Sequence, residues 1–302
     1  MKLATTTGDF DKYCDTYLEK IKAVHKAGFK YIDLSLYSVN KNDELLLSDD
    51  WKASAQELLE YVTENNLEFV QCHSPNTNPL DEAQVERAVA LNIRAIEVCG
   101  YLGIPTMVVH SGWERNAAKE EWLARNKAFF MRLLPTAEKY NVCICHENST
   151  RVNIGGIYPK TGAEMAEFSK YVNHPNFHSC WDTGHANIEG SQYSEILAIG
   201  DDLRAVHIND NRGERDEHII PYFGTVNMDE IMCALKKTDF KGPFTFESGS
   251  SMRPAKYWLG NRHFFADETR LSEPTFELQL ELERFMYAVG KHILSAYDEF
   301  DG

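Results

Sequence analysis

The chain has 302 residues, seven cysteines and a formal net charge of −15. So acidic a chain repels phosphate backbones, which argues against a general nucleic-acid-binding surface but leaves room for a local basic pocket. The cysteines are scattered rather than spaced as a disulfide framework, and this fits a reducing compartment. The N-terminal segment lacks the apolar core of a signal peptide, and no apolar run is long enough to span a membrane. We therefore expect a cytoplasmic protein with no membrane partner.

Short β-type runs alternate with longer amphipathic segments eight times along the chain. The predicted strands are residues 3–7, 31–37, 67–74, 106–111, 142–148, 177–185, 203–210 and 242–248. The predicted helices are residues 9–27, 51–64, 81–99, 120–140, 162–172, 193–199, 228–237 and 274–297. Eight βα units without a composition break predict an α/β fold, a single (β/α)8 TIM barrel over residues 1–302. A doubly wound sheet is less favoured because no glycine-rich turn follows the first strand.

One connection, from residue 249 to residue 272 after the eighth strand, is unusually long. It contains Arg253, Lys256, Tyr257, Trp258, Arg262, His263, Phe264 and Phe265. Loops of this length inside a compact domain tend to be functional or disordered, and the aromatic content argues against disorder. We interpret the loop as either a substrate lid or a dimer contact.

Residues that can bind a metal end six consecutive predicted strands. They are His73, His110, Glu147, Asp182, His207 and Glu247. Because the active site of a βα barrel lies at the C-terminal ends of its strands, these side chains are predicted to converge at one mouth. Carboxylates and imidazoles crowded there would repel one another or stay unpaired without a cation. The pattern therefore predicts a divalent metal site, with donors that suit Zn²⁺ or Mn²⁺.

Alternation along each strand separates further polar residues into two groups. Asp33 and Ser35 should face the barrel interior, whereas His146 should lie behind the barrel wall among the helices. Cys143 and Cys145 face inward below the mouth, and we interpret them as barrel core.

Seven short motifs resemble the xylose isomerase-like barrel superfamily. They are HSP at 73–75, HSG at 110–112, HEN at 146–148, WDTGH at 181–185, HIND at 207–210, DEH at 216–218 and FES at 246–248. That superfamily includes sugar-phosphate isomerases and epimerases, ketohexose 3-epimerases, inosose isomerases and dehydratases, and the endonuclease IV repair enzymes. The resemblance covers the chain from the second strand to the eighth.

The resemblance implies two ligand sets. In the epimerase-like branch one divalent ion is held by residues that match Glu147, Asp182, His207 and Glu247. In endonuclease IV three zinc ions are held by nine residues, and the remaining five match His73, His110, His185, Asp216 and His218. Here His185, Asp216 and His218 would form either a second metal pocket or a polar wall for the substrate.

Three departures favour the sugar branch over the nuclease. Asn76 stands where endonuclease IV enzymes usually have a tyrosine that handles the bent duplex. The segment PYFG at 221–224 resembles the proline–glycine turn of the isomerase branch. A duplex binder also needs several phosphate contacts, which an acidic chain provides poorly.

We therefore expect a metal-dependent isomerase or epimerase of a sugar, sugar phosphate or polyol. Proton abstraction next to a carbonyl would proceed through a metal-bound enediolate, with one or more ions of Zn, Mn, Mg or Co as cofactor. Glu147 and Glu247 would move the proton on opposite faces of the enediolate. Asp182 and His207 would complete the metal shell, and His185 would orient a substrate hydroxyl.

The remaining candidates concern substrate and partners. The expected substrate-binding residues are His73, His110, Trp113, Arg212 and Arg215, and either arginine would hold a distal hydroxyl, carboxylate or phosphate. The expected partner is a small carbohydrate rather than nucleic acid, and a homo-oligomer stays open. The alternatives are a zinc-dependent phosphodiesterase that acts on abasic DNA, an inosose dehydratase-like lyase, and a sugar-binding barrel without catalysis.

Overall fold

Eight parallel strands close into a barrel in chain order in the computed structural model, which describes residues 1–152, 159–252 and 274–301. The strands are β1 (Leu3–Thr6), β2 (Tyr31–Ser35), β3 (Glu68–His73), β4 (Thr106–Val109), β5 (Cys143–Glu147), β6 (Phe177–Asp182), β7 (Leu203–Ile208) and β8 (Phe244–Phe246). β1 pairs with both β2 and β8, and this pairing closes the sheet on itself. The predicted (β/α)8 barrel is confirmed.

The helices surround the barrel. They are α1 (Tyr17–Ala27), α2 (Trp51–Glu64), α3 (Val85–Leu102), α4 (Lys119–Tyr140), α5 (Gly162–Val172), α6 (Thr183–Glu189), α7 (Tyr193–Ile199), α8 (Met228–Lys237) and α9 (Phe276–Ala296), with short 3₁₀ turns at Thr7–Phe10, Gly200–Asp202 and Gly249–Ser251. Among the helices that the structure describes, none is long and apolar enough to cross a bilayer.

Among the helix starts that differ from the sequence-based prediction, such as that of α3 at Val85 rather than residue 81, two have a capping cause. The first helix begins at Tyr17 rather than residue 9, because Thr16 and Glu19 form a reciprocal capping box there. β6 ends at Asp182 instead of continuing to residue 185, since the Asp182 carboxylate accepts the backbone N–H of His185 at 2.6 Å and starts α6. His185 therefore lies in the first turn of a helix.

The barrel separates a small interior core from a large outer one. Val108, Cys145, Cys180 and Ala205 pack together inside, with Cys143 beside them, so the prediction that both cysteines face the barrel core is confirmed. His146 lies on the outer side, where its Nε2 is 2.9 Å from Ser169 Oγ and its ring stacks on Phe177. This also agrees with the prediction.

The long connection after β8 is described only at its beginning. The Gly249–Ser251 turn begins two residues after the strand end, behind Glu247 and Ser248. Residues 253–273, which carry the basic and aromatic side chains interpreted as a lid or dimer contact, lie outside the described residues.

The outer core predicts a large cost for removing one of its rings. The fully buried Phe130 ring lies 4.7 Å from the ring of Phe177 and 6.0 Å from that of Phe168, centroid to centroid. Phe130→Ala should lower the free energy of unfolding by about 3–5 kcal/mol in urea titrations, because it leaves a cavity between α4 and the barrel. Phe285→Ala, at a ring that is 47% exposed, is the matched control. Its expected effect is about 0.5 kcal/mol, and equal losses in both variants would contradict this packing.

Candidate metal centre

Four side chains from four adjacent strands converge at the C-terminal mouth of the barrel. Glu147, Asp182 and His207 lie at or near the ends of β5, β6 and β7, and Glu247 directly follows β8. Each contributes one potential ligand atom, and these four atoms lie within 4.8 Å of one another. His207 is central, because its Nδ1 lies 2.9 Å from Glu147 Oε1 and 3.2 Å from Glu247 Oε2. The structure thus brings together the four residues expected to hold a central ion.

Burial makes the charges of this cluster strongly interdependent. Burial disfavours the charged imidazole, yet the carboxylates of Glu247 and Glu147 raise the pKa of His207 to about 10. Burial would raise the pKa of Glu147, but the charge of His207 and the adjacent imidazole of His110 hold it well below its ordinary value. Burial raises the pKa of Glu247 even though His207 opposes the shift. In the protein alone, the imidazolium is therefore the counter-charge for the carboxylates.

The donor set fits a divalent cation. Three carboxylates and one imidazole are ligand types that Zn²⁺, Mn²⁺, Mg²⁺ and Co²⁺ accept. The Oε2 atom of Glu147 is buried without a conventional hydrogen-bond donor in the described part of the chain, although His110 Nε2 is 2.8 Å away. A cation in this cluster would neutralise the carboxylates directly and leave His207 neutral.

Two asparagines that the sequence analysis did not single out orient Asp182. Asn209 donates to Asp182 Oδ2 at 2.6 Å, while Asn148 accepts the backbone N–H of Asp182 at 2.6 Å and donates to its carbonyl at 3.1 Å. Hydrogen bonds behind a ligand fix its direction and tune its affinity for metal. Their only signal in the sequence is an amide residue immediately after, or two residues after, a predicted ligand.

A glycine makes the contact with Asn209 sterically feasible. A Cβ on Gly184, at the start of α6, would lie 1.8 Å from Asn209 Oδ1. Gly184 of the WDTGH motif is therefore required, because the side-chain amide of Asn209 approaches its backbone closely.

A second polar group lies beside the first. Asp216 is placed between two imidazoles, 3.2 Å from His185 Nε2 and 3.0 Å from His218 Nε2. Burial opposes protonation of both rings, but the carboxylates of Asp182 and Asp216 raise the pKa of His185, and Asp216 raises that of His218, well above the usual value. Asp182, His185 and His218 also have ligand atoms close enough to hold an ion. The geometry thus brings together the residues of the predicted second pocket or polar wall.

The loop that carries this second group is organised by Asp210, another residue that the sequence analysis did not assign. The fully buried Asp210 carboxylate accepts four backbone N–H groups, from Asn211, Tyr222, Gly224 and Val226. These bonds fold residues 211–226 back on the end of β7. His218 has a positive φ of 48°, a conformation that such a loop must stabilise by other contacts.

Two further histidines approach Glu147 from β3 and β4. His110 Nε2 lies 2.8 Å from Glu147 Oε2, while His73 Nε2 lies 3.9 Å from the same atom. Burial lowers the pKa of His73 to about 3, so its ring is neutral, and its Nδ1 donates to the carbonyl of Ser74 at 3.0 Å. That bond directs the lone pair of Nε2 toward the carboxylates.

A cavity of about 800 Å³ opens above these residues. Its lining includes Trp113 and His110, as expected, together with Tyr37, whose ring contacts both His73 and His110 edge-on. Arg212 and Arg215 are not brought to this cavity. The Arg212 side chain is 61% exposed and pairs with Glu217 at 2.5 Å, and Arg215 is also exposed. The sequence suggested them because they follow β7, but the loop turns them outward.

Residues 21–267 match the model of a family described as xylose isomerase-like TIM barrel. The chain belongs to this family. Within it, L-ribulose 3-epimerase of Methylomonas sp. (strain DH-1) is 31% identical over 241 residues, which cover 76% of this chain and 78% of the relative. Ketose 3-epimerase of Arthrobacter globiformis is 27% identical over 253 residues, 81% of each chain. The IOLI protein, solved with a bound zinc atom, superimposes over 100% of both chains with a TM-score of 0.76 at 21% identity, a likeness in fold. The predicted family membership is thus confirmed.

A buried acid on β2 gives the stability of this protein a measurable pH dependence. Asp33 is 1% exposed and faces inward, as expected, and burial raises its pKa to about 7, an effect that His207 partly opposes. An acid whose pKa rises on folding destabilises the folded state as pH increases from about 4 to that raised value.

Asp33→Asn removes this ionisation. In chelator-treated protein, the melting temperature of the variant minus that of the wild type should therefore increase between pH 5 and pH 8, as measured by circular dichroism. Asp49→Asn, at an exposed position, should give a difference that does not vary with pH. A constant difference for Asp33→Asn would show that this carboxyl is ionised throughout the range.

Proposed function

We propose that this protein is a divalent-metal-dependent sugar epimerase that inverts the carbon next to a ketose carbonyl. The observation that carries the proposal is the placement of Glu147 and Glu247, from β5 and the end of β8, beside Nδ1 of His207 in the wall of a sugar-sized cavity. The relatives named L-ribulose 3-epimerase and ketose 3-epimerase support it, because they match more than three quarters of the chain. The substrate class that follows is a small carbohydrate with a ketone group.

Glu147, Asp182, His207 and Glu247 would hold the ion. When bound, a divalent cation supplies Lewis-acid stabilisation of the negative charge that develops on the carbonyl oxygen, an effect of several kcal/mol. Asn148 and Asn209 keep Asp182 in its position for that role.

Glu147 and Glu247 have different protonation tendencies, which suits two-base chemistry. In the protein without an ion, His207 and His110 hold the pKa of Glu147 low against the effect of burial, and the positive charge of a bound cation would act in the same direction, so this residue is a carboxylate that can accept a proton. The pKa of Glu247 is raised by burial, so this residue can carry one. Environments that give two neighbouring carboxyl groups different pKa values assign the role of base to one and that of acid to the other. One glutamate removes the proton from one face of the sugar carbon, and the other returns a proton to the opposite face.

His185 is suited to orient the sugar. Its Nδ1 donates to the carbonyl of Asn148 at 2.8 Å, and this leaves Nε2 on the side of Asp216 and the cavity. A hydroxyl next to the reacting carbon would share the Nε2–H donor with Asp216, so His185 would fix the carbon between the two glutamates.

The proton-transfer proposal is tested by exchange with solvent. Epimerisation of a ketose in D₂O should introduce deuterium at the inverted carbon, as measured by NMR or mass spectrometry. Turnover without incorporated deuterium would exclude proton transfer and favour a hydride shift.

Removal of either carboxylate gives an independent test. Glu147→Gln and Glu247→Gln should each lower kcat by on the order of 10²–10⁴-fold with the fold retained, because an amide cannot move the proton. EDTA should abolish wild-type activity. Glu86→Gln, at an exposed surface residue, is the control and should keep full activity. Normal turnover by either active-site variant would refute the two-glutamate assignment.

One observation favours a second candidate, a zinc-dependent phosphodiesterase like endonuclease IV. Of the nine residues that match its zinc ligands, eight lie in four overlapping clusters whose ligand atoms are near enough to hold ions. The ninth, Asp216, lies between His185 and His218. The net charge of −15 and Asn76 in the cavity wall disfavour a DNA duplex as the ligand.

Metal content separates the two candidates. The epimerase proposal predicts about one tightly bound ion per chain in elemental analysis after dialysis, whereas the nuclease requires three. Three zinc ions per chain together with cleavage of an abasic duplex would overturn the proposal. Product analysis with a ketose separates an epimer from the dehydrated product of a lyase.

A further inference from the structure

A second pair of carboxyl groups lies next to the metal centre without belonging to it. Asp9 is in the 3₁₀ turn that follows β1, and Glu283 is on α9. The Glu283 side chain is fully buried, and its two oxygens accept hydrogen bonds from Gln279 at 3.1 Å and from Thr5 at 3.2 Å. The carboxyl of Asp9 lies near enough to that of Glu283 for the charge of Glu283 to raise its pKa.

Two carboxyl groups in contact cannot both be ionised at moderate cost, so one proton is held between Asp9 and Glu283. In agreement, Oδ2 of Asp9 is buried and no donor reaches it from the described residues. Burial, followed by the charge of Glu283, raises the pKa of Asp9 well above its usual value. An apolar pair of the same volume would fill this space without the desolvation cost. A structural role alone therefore explains the pair poorly.

The cavity gives the pair a role, because Asp9 is part of the cavity wall. Gly249 and Ser250, which follow Glu247, line the same region. A Cβ on Gly249 would lie 2.2 Å from Asp9 Oδ1, so the turn after β8 leaves room for this carboxyl only because residue 249 has no side chain. The turns after β1 and β8 thus meet around one protonated acid at the edge of the sugar-sized space.

We propose that Asp9 binds a hydroxyl group of the carbohydrate substrate on the β1–β8 side of the cavity, and that Glu283 is a positioning residue that holds Asp9 in place. The identification of the ligand as a carbohydrate rests on the proposed function. A carboxyl that shares its proton accepts a hydrogen bond from a sugar hydroxyl without placing a second full charge beside Glu247. Such an acid selects a neutral hydroxyl over an anionic substituent at that position.

The test is a comparison of ketose binding, measured by titration calorimetry on the manganese-loaded protein. The probes are D-fructose, L-ribulose and their monodeoxy analogues. Asp9→Ala should weaken binding of the parent sugar about 10-fold, the effect of one hydrogen bond to an ionisable partner. Removal of one particular hydroxyl should weaken binding to the wild type by a similar factor and cause no further loss in Asp9→Ala. The other deoxy analogues should lose equal factors in both proteins.

Glu283 is tested by the contrast between two substitutions. Glu283→Ala should raise KM with kcat changed less than about 3-fold, because Asp9 loses its support while the reacting carbon is not contacted. Glu283→Gln, unlike Glu283→Ala, should keep KM near the wild-type value, since the amide can donate to Asp9. Glu281→Gln, exposed on the same helix, is the control. Melting temperatures show whether each variant is folded. If one of them is not, the double variant Asp9→Asn/Glu283→Gln is measured in its place.

The outcomes separate the two proposals. Unchanged sugar binding by folded Asp9→Ala, or equal losses for every analogue, overturns the role of Asp9 even if epimerisation is observed. Site-specific loss of binding without any epimerisation supports Asp9 and refutes the proposed function. Failure of the wild type to bind any ketose overturns both.

Discussion

The constraint on which the mouth of this barrel depends is the crowding of buried like charges. Glu147 and Asp182 are buried beside His207, and Glu247, whose side chain is 25% exposed, completes the cluster. Isolated buried charges cost several kcal/mol each, so the cluster persists only if positive charge and hydrogen bonds compensate it. His207 supplies the charge in the protein alone, and a divalent cation would supply more.

Compensation extends outward from this cluster in two different ways. On the β5–β7 side, side-chain amides hold the ligands directly, as Asn209 holds Asp182. On the loop side, the Asp210 carboxylate collects four backbone N–H groups and so fixes the segment that carries Asp216 and His218. The first arrangement rests on strand ends and the second on a loop with little regular structure of its own. A site that combines them has ligands on strand ends on one side and, on the other, a wall held in place by backbone hydrogen bonds to one buried carboxylate.

Strand periodicity and the rule that barrel sites lie at the C-terminal ends of strands were sufficient to predict the convergence of His73, His110, Glu147, Asp182, His207 and Glu247. These rules concern the direction in which strand residues point, and they apply poorly beyond the strand. Arg212 and Arg215 follow β7 closely in sequence, yet the backbone between them turns outward through the bonds to Asp210, which no periodic pattern reveals. The sequence-based prediction did not include α6, because Asp182 is both the last residue of β6 and the N-cap of the helix.

The Asp9–Glu283 pair illustrates a different limit of prediction from the sequence. The two residues are far apart in the chain and come together only because β1, β8 and α9 pack side by side. The local sign is a glutamate among the buried residues of α9, most of which are apolar, such as Met286. Pairings of this kind require the tertiary structure.

The dual role of Asp182 links the centre to the order of α6. One of its oxygens accepts the backbone N–H of His185 at the first turn of the helix, and the other accepts from Asn209. Any cation bound by this carboxylate draws electron density from the same oxygens that cap the helix, so ion binding and the fraying of α6 are thermodynamically coupled. The exchange rate of a single backbone amide, that of His185, would then report on the occupancy of a site several bonds away. In the same way, substitutions along α6 that touch no ligand would change the affinity of the protein for its ion.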